Sequence, residues 1–94
     1  MNIKLEKYYD QKTEESLNTL AALSEEKWSK YERKESLLSL VNNETYAKII
    51  CAYYPDNCEK WVKEKAPALD NLSIYECMTQ DLGKRVGVML TRLP

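Results

Sequence analysis

Histidine and phenylalanine are absent from this 94-residue chain, and each absence carries a consequence. Without histidine there is no side chain that titrates near neutral pH for general acid-base work, and no imidazole for a metal site. Without phenylalanine, the seven Tyr and two Trp must help fill the interior as well as serve any surface. Glycine occurs twice and proline three times, too few for a hairpin-rich sheet, whereas Leu, Lys, Glu and Ala are plentiful. That balance predicts an all-α fold. No glycine run cradles a phosphate, because Gly83 and Gly87 stand four apart on one helix, a spacing that permits close approach of a neighbour. The longest apolar stretch, Ile49 to Tyr54, is far shorter than the roughly 20 residues that span a bilayer, so no membrane segment is expected.

Net charge is equally slight. Fourteen Lys and Arg stand against fifteen Asp and Glu, a formal charge of -1, which gives no overall attraction to nucleic acid or an anionic membrane. A basic and aromatic interleaving at Lys27-Trp28-Ser29-Lys30-Tyr31 is diluted by Glu25, Glu26 and Glu32. The cysteines Cys51, Cys58 and Cys77 are odd in number, lie in apolar surroundings and form no C-x-x-C pair. They read as buried small hydrophobes in a reducing, cytoplasmic setting, with no metal and no cofactor expected. The carboxylates at 14, 15, 25, 26 and 35 fall at first-turn or solvent-face positions, where the helix dipole and solubility account for them. No catalytic residue is assigned.

What is present is helical periodicity. Thr13 is a plausible N-cap ahead of a stripe at Leu17, Leu20 and Leu23. Ser24 can cap a helix in which Trp28, Tyr31, Leu38 and Val41 form the apolar side, and Asn42-Asn43 ends it. Residues 44 to 54 read as a largely buried helix stopped by Pro55. Asp56 with Glu59, and Ser73 with Glu76, have the spacing of capping boxes, on either side of a loop at 66 to 72 that pins Leu69 and Leu72 inward. Asp81 is a candidate cap for a last helix bearing Leu82, Val86, Met89, Leu90 and Leu93 on one stripe. About five to six short helices in one domain are expected. Residues 1–45 form a helical region that serves as a dimerisation arm or a degenerate DNA-binding unit, and residues 46–94 form the binding region. Leu82, Val86 and Leu90 should pack inside, leaving Arg85, Met89 and Arg92, with Leu93 and Pro94 beyond them, to meet a partner.

The cadence from Tyr54 to Leu93 resembles the toxin-binding domain of the Xre/MbcA/ParS antitoxins over about half of the chain. The corresponding positions are Tyr54 and Asp56, Trp61 and Val62, Pro67-Ala68-Leu69, a capped helix from Ser73, Gly83, and Leu90 with Arg92 and Leu93. Departures are Asp70-Asn71 where the family has Gly-Gly, Ile74 where it has proline, and an amino-terminal half without an obvious helix-turn-helix. The resemblance implies a bacterial antitoxin that docks on a RES-domain toxin, a class that degrades NAD, and covers its active site with the carboxy-terminal helices; a homodimer fits that picture. The competing classes are a stand-alone adaptor or inhibitor without a cognate toxin, and a helical DNA-binding regulator.

Overall fold

In the computed structural model, which describes residues 5–93, an amino-terminal arm comes first: a 3-10 turn over Leu5–Tyr8. Asp10 then turns the chain into α1, Gln11–Leu23, accepting a hydrogen bond from the Thr13 backbone N–H while Thr13 reaches back to the Asp10 N–H. The helix therefore starts three residues before the Thr13 cap that the sequence suggests, with Thr13 as the reciprocal member of a capping box. Ser24 joins α1 to α2, Glu25–Lys30, but its hydroxyl donates back to the Leu20 carbonyl and caps nothing.

The expected helix from 25 to 41 is two helices. Tyr31 adopts an extended backbone, φ -76 and ψ 125, and α3 resumes over Lys34–Val41. Trp28 and Leu37 lie nine positions apart, about two and a half turns, and so face opposite sides of a continuous helix. Breaking the helix lets both be buried, Trp28 at 7% and Leu37 at 0% exposure. Seven α-helices result among the described residues, against the five to six that the periodicity suggests.

Asn42 ends α3 in the left-handed region, φ 55, which a short polar side chain tolerates, and Asn43 caps α4, Glu44–Tyr53, through the Tyr46 N–H. After the Pro55 turn comes α5, Cys58–Lys63. Its N-cap is Asn57, without a side-chain bond. The expected Asp56–Glu59 capping box is absent because Glu59 is drawn across to Arg33, at 3.0 Å, and to the Ser36 hydroxyl. The loop that follows is more ordered than expected: β1, Lys65–Ala66, pairs antiparallel with β2, Leu72–Ser73, around a 3-10 turn at Pro67–Leu69. Asp70 and Asn71 hold consecutive left-handed conformations, φ 60 and 63, at the two positions where Gly-Gly was the expected pattern.

The Ser73–Glu76 capping box opens α6, Ile74–Thr79, with both reciprocal bonds at 3.0 Å. The final helix, α7, is Gly83–Thr91. Asp81 does not cap it, being itself left-handed at φ 61, and Leu82 takes the cap position. The fold is all-α in character, and one core runs through both halves of the chain, from Leu17, Leu37 and Val41 to Ile50, Val62, Val86 and Leu90.

At its centre is α7, where six successive residues, Arg85 to Leu90, are buried. The amino-terminal arm, α1, α4, α6 and the Pro67–Leu69 turn all pack against it. A helix covered on every side is an interior element, not an amphipathic surface helix.

Candidate partner-facing surface at the joined chain ends

The burial of α7 rearranges the expected contact set. Arg85 is 4% exposed and forms a two-pronged pair with Glu6 of the arm, Nε to Oε1 and Nη2 to Oε2, both 2.8 Å. A third nitrogen, Nη1, donates to the Leu69 carbonyl at 3.4 Å, and the carboxylate holds the guanidinium pKa above its ordinary value. Met89 is likewise interior, 6% exposed. Neither residue faces solvent, which corrects their placement on the partner side: Arg85 is turned to Glu6 of the arm and Met89 packs in the core.

Arg92 and Leu93 do reach the outside. Arg92 is exposed at the C-cap of α7 with its guanidinium carbon 4.9 Å from the centre of the Tyr8 ring, and Leu93 is half-buried against the core. Tyr8 is 51% exposed, so ring and cation together form an accessible pole where the arm meets the end of α7. Pro94 lies outside the described residues.

The arm is seated by Glu6, Tyr9 and Gly87, of which sequence reasoning did not single out Glu6. Glu6 holds Arg85 as above. Tyr9 lies under Lys84 Nζ, 5.7 Å from its centroid, and shares the space over Gly87 with Tyr46, whose hydroxyl donates to the Gly83 carbonyl at 2.9 Å. Gly87 makes room: a Cβ there would meet Tyr46 Oη at 2.6 Å and Tyr9 Cε2 at 3.0 Å. Gly83, by contrast, has space, its nearest neighbour being Met78 Cε at 3.5 Å. The close approach inferred from the glycine spacing is thus required at Gly87 alone. Beside this seat, a cleft of about 430 Å³ opens between the arm and the start of α7. Within it Glu6, Asn43, Tyr46 and Lys84 are engaged with Arg85, the α4 cap, Gly83 and Tyr9 respectively.

The other residues of the family-like pattern are structural. Leu69 and Ser73 are buried, Asn71 closes the Pro67 turn through its N–H to the Ala66 carbonyl at 3.0 Å, and Pro67 is exposed at the turn's first position. Trp61 is half-buried and packs on Tyr54, ring centres 4.3 Å apart. The three thiols are buried; burial raises the pKa of Cys51 and Cys77, and the Cys58 thiol donates to the Tyr31 hydroxyl at 2.7 Å. Among the described residues, no cluster of three or more Cys, Asp or Glu could hold a metal ion, and no helix is long and apolar enough to cross a membrane. No family model, curated protein or solved structure matches this chain.

Proposed function

We propose that this chain is an antitoxin-like protein-binding domain that neutralises a RES-type, NAD-degrading toxin by covering its active site, with contact made through the end of α7. The observation that carries the reading is the exposed Arg92–Tyr8 pair beside half-buried Leu93. Arginine and tyrosine are the residue types that concentrate binding energy at protein interfaces, and here a planar cation is already oriented on a ring before any partner arrives.

Charge favours a protein partner over DNA. Between residues 10 and 45, eight acidic side chains stand against five basic ones, a balance that gives this region no net attraction for phosphate. Co-expression with a RES-domain protein encoded beside this chain tests the reading. A co-purifying complex and restored growth are expected, both lost with Arg92→Glu, which leaves the buried core untouched. Absence of a complex and of growth rescue with the unaltered chain overturns it.

A further inference from the structure

The seat of the amino-terminal arm has the features of a ligand groove. Its floor holds a buried guanidinium, Arg85, satisfied by an incoming carboxylate, and a notch at Gly87 that admits the edge of the Tyr9 ring. The arm itself is a single 3-10 turn. Its backbone bonds include Tyr9 N–H to the Glu6 carbonyl, at 3.3 Å, and a tie to α1 from the Thr13 hydroxyl to the Tyr8 carbonyl, at 3.2 Å. Side chains at 5, 6, 8 and 9 do the holding, and extended Asp10, φ -141 and ψ -173, is the joint to α1. A short segment attached through side chains, with one extended joint, can leave without unravelling a helix.

We propose that residues 5–9 are an intramolecular occupant of a docking groove on α7, and that the groove takes in trans a peptide segment of the same chemistry. That segment carries a carboxylate followed three positions later by an aromatic ring. Charge complementarity selects the first feature, since a buried arginine whose carboxylate departs needs another. The Gly87 notch favours the second, because the edge of the Tyr9 ring lies 3.0 Å from where a Cβ would stand, in space that a larger residue at 87 would take. The arm then acts as a built-in competitor, lowering the apparent affinity for any outside segment by the fraction of molecules in which it is seated.

The inference rests on the reading of this chain as a protein-binding domain, but its test uses no toxin and fails separately from that reading. The full chain carrying Glu6→Gln, checked for native helicity by circular dichroism, is titrated with a synthetic peptide of residues 1–10 and followed by amide NMR. The peptide is expected to shift the resonances of residues 85–90, with an apparent affinity at least about tenfold tighter than for the unaltered chain, whose own arm competes. Peptides carrying Glu6→Lys or Tyr9→Ala are expected to leave those resonances in place. No shift at 85–90 in the folded variant, or equal shifts from the Glu6→Lys peptide, overturns the proposal. If Glu6→Gln does not fold, the same titration is made on Tyr8→Ala; unfolding of both variants also overturns it, because the arm is then integral to the core.

Discussion

A methyl group on residue 87 would sit 2.6 Å from Tyr46 Oη and 3.1 Å from Leu17 Cδ1, so α7 approaches α4 and α1 as closely as a glycine allows. Tyr46 is buried and committed to the Gly83 carbonyl, which leaves it little freedom to retreat. Gly87→Ala is expected to destabilise by about 1–2 kcal/mol, overpacking outweighing the helix propensity gained. Gly83→Ala, with open space, is expected to change stability by less than about 0.5 kcal/mol. Urea denaturation of the two variants checks the contrast. The same tyrosine predicts an alkaline limit. Burial, with smaller contributions from Tyr9 and Glu14, pushes its hydroxyl up to about 12. A folded-state pKa raised above the unfolded one contributes stability that is complete below pH 10 and is lost as pH rises from about 10 to 12. Denaturation midpoints across that range should fall more steeply for the unaltered chain than for Tyr46→Phe. The spacing of Gly83 and Gly87 signalled a close approach but not which glycine needs it, and the partner of Arg85 lies 79 positions away, so no local pattern could have announced it.

Helix boundaries were legible where a cap and its partner are both local. Ser73 and Glu76 are such a pair and appear as expected, and Asn42-Asn43 ends α3 where the sequence placed a stop. The boundaries that differ were decided by distant groups. Glu59 abandons the α5 cap for Arg33 and Ser36, and the helix through Tyr31 breaks so that Trp28 and Leu37 can enter the core together. The local caps also govern acid stability. Backbone and side-chain hydrogen bonds from Thr13 lower the Asp10 pKa, and the Ser73 N–H with Lys65 lowers that of Glu76. Carboxylates with depressed folded-state pKa values contribute stability that is present above the unfolded value and lost as pH falls through the folded one. Denaturation midpoints should therefore decline below the ordinary carboxylate pKa values of 3.8 and 4.5, and Asp10→Asn with Glu76→Gln should flatten that decline. An unchanged slope in the double variant would show that the caps play no part.

At the scale of the whole molecule, the expectation of a helical domain with one core holds, but the assignment of surfaces does not follow from periodicity. A stripe of Leu82, Val86, Met89, Leu90 and Leu93 reads as one face of a surface helix; the arm, α1, α4, α6 and the Pro67–Leu69 turn together make that helix the centre of the fold. Six consecutive buried positions include an arginine and a glycine, residues that a hydrophobicity pattern marks as outward-facing and that only tertiary partners bury. What α7 leaves exposed is the pole where Arg92 meets Tyr8. Amide hydrogen exchange of the free, full-length chain addresses this arrangement directly. Residues 85–90 are predicted to exchange only through global unfolding, the slowest class in the protein, while residues 5–9 exchange faster through local release. Exchange of 85–90 at the rate of an exposed helix would contradict the interior placement of α7 and the surface assignment built on it.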